Sequence, residues 1–184
     1  TLGAVTGAGF NLTLDTGHFV GADIAGTTVA NVGTLTLRDA GTATFTGAIG
    51  TNTAVAVTDA VTLVDFQGAV TTPTLTIPGT ATAYNVNLTG TGGVVTNAVT
   101  FANTGTLTLG AAGGTLTFTG GLTATANSTR TLLGTIQSSD AAMTFGAVTL
   151  GADTTLDTMA TDGTGDLTLG AVTGAGFNLT LDTG

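Results

Sequence analysis

Cysteine, lysine, glutamate and tryptophan are all missing from this chain of 184 residues. Without cysteine there is no disulfide framework and no thiolate metal site. Without lysine and glutamate, and with arginine only at Arg38 and Arg130, the exposed faces of helices cannot be built in the usual way. Two arginines also cannot form the basic face that a nucleic-acid partner requires, and the net charge of −9 opposes an anionic membrane surface. Only 7% of residues are charged, against about 25% in an average soluble protein. No apolar run approaches the roughly 18 residues of a membrane-spanning helix. There are 2 prolines, and Pro73 and Pro78 bracket one short stretch, Thr74–Ile77, rather than interrupting it.

What is present points one way. Threonine fills about one position in four, glycine occurs 30 times and 42% of the chain is hydrophobic. Thr, Val and Phe suit strands, whereas Gly, Asn and Asp supply turns. A Gly/Thr-rich composition also occurs in disordered chains, but those lack the aliphatic content found here.

Residues 1–17, TLGAVTGAGFNLTLDTG, recur letter for letter as residues 168–184. The offset of 167 residues defines one full period (1–167) and the start of an identical next one (168–184). The expectation is a longer tandem array, in which the coil after residue 184 packs on 168–184 as the coil from His18 onward packs on 1–17. Shorter echoes lie within the period: GTLTL at 33–37 and 105–109, ATFTG at 43–47 beside LTFTG at 116–120, and TDAVTL at 58–63 beside TNAVTF at 96–101. Each alternates apolar and polar residues with period two, which is the pattern of a half-buried strand. The alternation predicts Leu12, Leu14, Leu35, Leu37, Phe45, Val61, Leu63, Leu75, Ile77, Val99, Phe101, Leu107, Leu109, Leu116, Phe118, Phe145, Val148 and Leu150 as inward-facing. Gly, Asn and Asp stand between the strands, so Asp15, Asp39, Asp59, Asp153 and Asp182 read as turn residues.

Short strands at this spacing fit a sandwich, a barrel or a solenoid. Internal echoes, like pairs of apolar residues and threonine at almost every outward position favour the solenoid. With roughly 18 to 24 residues per coil, one period holds about eight coils. The predicted fold is therefore all-β, a parallel β-helix (β-solenoid) of about eight coils per 167-residue repeat.

The stretches GAVTGAGFNLTLDTG, TFGAVTLGADTTLDT and GTLTLGAAGGTLTFTGG resemble the repeats of giant bacterial β-helical surface proteins, the filamentous-haemagglutinin and autotransporter-passenger type of adhesin. The resemblance is one of composition and rhythm over most of the chain. It implies a right-handed parallel β-helix, secretion to the extracellular space or cell surface, and a role as stalk, adhesin or filament. Very low charge and the near-exclusive use of threonine depart from many such passengers.

Residues that could carry chemistry are few. His18, the only histidine, follows Gly17 at a turn and reads as a plain turn residue, because no Cys or Glu can join it in a metal site or triad. The clustered acids and cations of sugar-cleaving β-helix enzymes are missing, so no catalytic residue is assigned and the chain is read as a non-enzyme. Asp157, Asp162 and Asp166, in LDTMATDGTGD, are the candidate Ca²⁺ ligands, since Asp with intervening Gly builds hard-cation loops. Their spacing matches neither an EF-hand nor the nonapeptide Ca²⁺ repeat, and an ordinary acidic turn is the alternative. Asn11, Asn87, Asn127 and Asn178 open N-x-[ST] sequons of the kind that threonine abundance makes by chance. The pairs Thr34/Thr36, Thr74/Thr76, Thr106/Thr108 and Thr115/Thr117 could form flat threonine ladders of the ice-binding type, or simply be the polar residue that best suits a strand. Two functions stay open: a structural repeat of an extracellular fibre, whose partners are copies of itself, and a module binding Ca²⁺, carbohydrate or ice on one face. In-register stacking of outward Thr and Asp residues would favour the second.

Overall fold

The structure is a computed structural model that describes residues 1–159, 163 and 165–183. Among these the chain forms only strands and turns, with all named strand pairs parallel and each strand paired to the one about one coil away in sequence. The result is a β-solenoid of three faces. Its first face starts with Val5–Thr6, Val29–Ala30 and Ile49–Gly50 and passes through the bridge Ile49↔Val70 to Thr71–Thr72, Gly93–Val95 and Thr115–Phe118. The second holds Leu12–Asp15, Thr34–Arg38, Ala54–Val57 and Thr74–Thr76, and passes through the bridge Ile77↔Phe101 to Val99–Thr100, Leu122–Ala124, Met143–Phe145 and Leu167–Thr168. The third runs from Ile24–Gly26 through Ala40–Phe45, Ala60–Phe66, Asn85–Leu88 and Thr106–Leu109. Two long strands, Thr129–Gln137 and Val148–Asp157, cross the corner from the third face to the first without a loop, so each serves both faces. The elements give about eight turns.

Alternation explains the interior. On the first face Val5, Val29, Ile49, Val70, Gly93, Leu116, Ile136, Leu156 and Leu181 follow one another as a column. On the second face the columns begin Leu12–Leu35–Val55–Leu75 and Leu14–Leu37–Val57. Like side chains thus stack at the strand spacing of about 4.8 Å, and burying each Leu or Val contributes about 1.5–3 kcal/mol. Phe45 stacks on Phe66 with ring centroids 5.8 Å apart, and Phe101 from the second face meets Phe118 from the first edge-on at the same separation.

Most of the predicted core residues are buried, and Leu12 and Leu14 are half-buried against the core. Val61 and Leu63 are the correction. Between the pairs Ala40↔Ala60 and Thr42↔Leu63 the register shifts by one residue. Ala60, Val64 and Phe66 keep one parity and point inward, while Leu63 lies in the outward column with Thr42 and Asn85; the change of parity falls on the partner strand, whose inward residues pass from Ala40 to Ala43 and Phe45. The local sequence TDAVTL matches its unbulged echo TNAVTF and carries no sign of the extra residue. The Asp placements also need refinement, since Asp15 and Asp182 close strands and Asp153 rides on the long corner-crossing strand.

Arg130 occupies a position that periodicity assigns to an aliphatic residue. It pairs with Leu107 in the third-face column and is 5% exposed. Its guanidinium donates to the backbone carbonyls of Ala124, Thr125 and Ala147, so the charge is spent on a corner rather than on a carboxylate. Burial lowers its pKa from the ordinary arginine value. Gly146 makes the space: a Cβ there would stand 2.7 Å from the guanidinium carbon.

The identical segments do not occupy identical places. In the first copy Val5–Thr6 lies on the first face, against Val29–Ala30, and Leu12–Asp15 on the second, against Thr34–Arg38. In the second copy Val172–Thr173 lies on the third face, against Val148 and Thr149, and Leu179–Asp182 on the first, against Thr154 to Asp157. From Val5 to Val172 the chain completes seven turns and two further faces, so the period is 7⅔ turns rather than a whole number.

Candidate functional site

The corner between the second and third faces brings polar side chains from three successive coils together. The first coil contributes the segment after Leu12–Asp15, the second the step between Thr34–Arg38 and Ala40–Phe45, the third the step between Ala54–Val57 and Ala60–Phe66. Asp39 turns this corner with a left-handed φ of 51°, a conformation that Asp tolerates better than most residues. Because the coils are in register there, His18, Asp39 and Asp59 stack along one edge. His18 Nδ1 lies 3.4 Å from Asp59 Oδ2 and 3.9 Å from Asp39 Oδ1. One ligand atom from each of the three falls within 4.8 Å of the others, the one such group among the described residues.

Neighbouring contacts hold the edge in place. Asp59 Oδ1 accepts the Ala60 N–H at 2.9 Å, which leaves Oδ2 directed at His18. Arg38 donates through Nε and Nη2 to Asp15 Oδ2 on the previous rung, and its Nε lies 3.8 Å from Asp39 Oδ2. The Arg38 guanidinium, with help from the Gly17 N–H, lowers the Asp15 pKa from its ordinary value, and Asp15 in turn raises that of Arg38. Behind the edge, Tyr84 is buried and donates to the Pro78 carbonyl at 2.7 Å. Its phenol pKa is pushed up by burial and, to a lesser degree, by the Asp59 charge.

One imidazole nitrogen and two carboxylate oxygens form a donor set suited to a divalent transition metal more than to Ca²⁺, which prefers oxygen alone. With a protonated imidazole the same geometry is an ion-paired triad. Reading His18 as an isolated turn residue missed this. Its partners are about one coil apart in sequence, so the signal was visible once a coil length was assumed.

The predicted Ca²⁺ ligands are placed differently. Asp157 is on a strand, half-buried, in the outward column between Gln137 and Asp182, and its Oδ1 accepts the Met159 N–H at 2.9 Å. Asp166 is exposed, and its carbonyl accepts the Met143 N–H. Asp162 lies outside the described residues.

Two more surfaces stand out. Thr13, Thr36, Ala56, Thr76, Thr100, Thr123, Thr144 and Thr168 form one outward column over the whole second face. The column is one threonine wide, since the neighbouring file starts Thr34, Ala54, Thr74 and passes to Gly121, Ala142 and Asp166. Among the described residues, the outward Asp side chains make no comparable ladder. At the corner between third and first faces, a cleft of about 670 Å³ is lined by Gly113, Gly134, Asp153, Thr155, Phe177 and Asn178.

No protein-family model, curated protein or solved structure matches this chain.

Proposed function

We propose that this chain is a structural repeat unit of an extracellular or cell-surface filament, a fibre or adhesin stalk built by continuing the solenoid from one repeat into the next. The observation that carries this reading is the seventeen-residue identity between segments that both serve as rungs of one continuous solenoid. A repeat that hands its last strands to the next copy in the same solenoid needs no separate interface. The absence of lysine and glutamate fits a body held by backbone ladders and stacked aliphatic residues rather than by ion pairs. The resemblance to bacterial β-helical adhesin repeats supports the same role.

The test is electron microscopy of polypeptides carrying one, two and three consecutive repeats. Rods of constant width should lengthen by about 37 Å per repeat, from 7⅔ coils at the strand spacing. Separate beads joined by linkers would refute the reading. The second-face threonine column favours one alternative, a binding module for an extended ligand such as a glycan or ice. Glycan-array binding or thermal hysteresis by the single repeat, lost on Thr123→Val with Thr144→Val, would support that alternative instead.

A further inference from the structure

We infer that each successive repeat continues the solenoid rotated by one face, a third of a turn, so that no repeat lies directly above its predecessor. This rests on the reading of the chain as a tandem repeat unit and goes on to state how the units join.

Residues 1–17 are present twice. Their local conformation is the same. Ala8 and Gly9 have φ of 49° and 84°, and Ala175 and Gly176 have 49° and 91°. The Phe10 N–H donates to the Gly7 carbonyl at 3.0 Å, and the Phe177 N–H to the Gly174 carbonyl at 2.8 Å. The same corner is therefore turned in both places, once between the first and second faces and once between the third and first. Corner and strands transfer from one face to another without local change.

The next coil is then specified. In the first copy the strand that seats on Leu12–Asp15 is Thr34–Arg38, with Leu35 on Leu12, Leu37 on Leu14 and Arg38 bound to Asp15. Asn11 Oδ1 accepts the Thr34 N–H at 2.9 Å. Asn178, Leu179, Leu181 and Asp182 present the same four groups on the first face. The occupant that fits them is the Thr34–Arg38 strand of the following copy. The charges agree: Asp182 pairs in register with Asp157, two like charges on adjacent rungs, and the following copy's Arg38 would arrive next to them.

The rotation has a functional consequence. Second-face strands of one repeat are followed on the first face by those of the next. The threonine column is therefore broken at every repeat boundary, and the His18–Asp39–Asp59 edge moves to a different edge of the fibre each time. The same edge recurs after three repeats, about 110 Å along the axis at the strand spacing. A filament built this way displays its edge groups on all sides.

Native cysteine is absent, so disulfide trapping is unambiguous. The experiment uses a polypeptide of two consecutive repeats. One variant carries Thr155→Cys and Thr180→Cys, which face outward from paired first-face rungs. The other carries Thr168→Cys and Thr180→Cys, which would be neighbours only if Leu179–Asp182 followed Leu167–Thr168 on the second face. Under mild oxidation both thiols of the first variant should be lost to alkylation, and both thiols of the second should stay free. Closure of the second pair, or of neither in a protein with native β circular dichroism, overturns the inference. Failure of the filament reading is separate: it shows as beads rather than one rod in the micrographs, whichever pair closes.

Discussion

Residues 1–17 and 168–184 are the same peptide at two addresses. In the first, Val5, Leu12 and Leu14 pack against the core; in the second, Leu179 does so while Val172 is 41% and Leu181 52% exposed. Asp15 stacks on Arg38, whereas Asp182 stacks on Asp157. The first segment belongs to a coil that Ile24–Gly26 closes on the third face. The second has the previous coil on one side and, among the described residues, no strand on the other. Identity of sequence thus gives identity of turn and strand, but burial and charge environment are set by neighbours from other coils.

Substitutions separate what the peptide carries with it from what its neighbours supply. The interior standard is Leu109, which is fully buried in a third-face column with rungs on both sides. Leu109→Asp should cost more than about 4 kcal/mol in urea unfolding, because it places an unpaired charge among aliphatic groups. Retention of more than half the wild-type unfolding free energy would refute the packing described for this column.

Next in size is Arg130, whose column leads on to Val172. Arg130→Ala should destabilise by about 3 kcal/mol, since it removes the donor from the Thr125 and Ala147 carbonyls, leaves the Ala124 carbonyl with the Gly146 N–H alone and opens a void. Arg130→Leu restores an aliphatic rung but not the donors, and its chemical-denaturation midpoint should fall between those of wild type and Arg130→Ala.

The direct comparison comes third. In the single unit Leu14→Asp should cost about 2–3 kcal/mol and Leu181→Asp less than about 1, although the surrounding peptide is the same. In a two-repeat polypeptide the position of Leu181 becomes internal, and the same substitution there should approach the cost of Leu14→Asp. Equal costs in the single unit would show that the two addresses are equivalent.

The smallest effects are electrostatic and differ in sign. Asp15→Asn removes the carboxylate charge that pairs with Arg38 and should lower the melting temperature slightly, whereas Asp182→Asn relieves the repulsion from Asp157 and should leave it unchanged or raise it. Arg38 depresses the Asp15 pKa below the unfolded value of 3.8. Its contribution is therefore present above that value and is lost as pH falls through the folded-state value. Melting curves taken well above and well below pH 3.8 should differ for wild type by more than for Asp15→Asn. High salt should move melting very little, because exposed pairs of this kind are screened and few.

Much of the architecture was legible in the residues. Period-two alternation identified inward faces because side chains on a strand alternate irrespective of what lies beyond. The alternation failed at Val61 and Leu63, because Val64 and Phe66, paired with Ala43 and Phe45, hold the opposite parity inward. Periodicity also could not foresee a guanidinium at Arg130, because the need for a donor arises only once the carbonyls of Ala124, Thr125 and Ala147 converge. The candidate site was legible in part, since His18, Asp39 and Asp59 are about one coil apart, but alignment along one edge depends on the length of each corner.

By itself the sequence determined the strands, the turns and the repeat. These follow from short-range sterics, such as the left-handed pair at Ala8 and Gly9 that returns at Ala175 and Gly176. Only the tertiary structure decided which face each strand joins. A strand's address depends on how many strands precede it, on the corners that consume residues between them and on where two strands merge across a corner. These sums run over the whole chain, and no local stretch records their total. Seventeen identical residues therefore fold alike and stand a third of a turn apart.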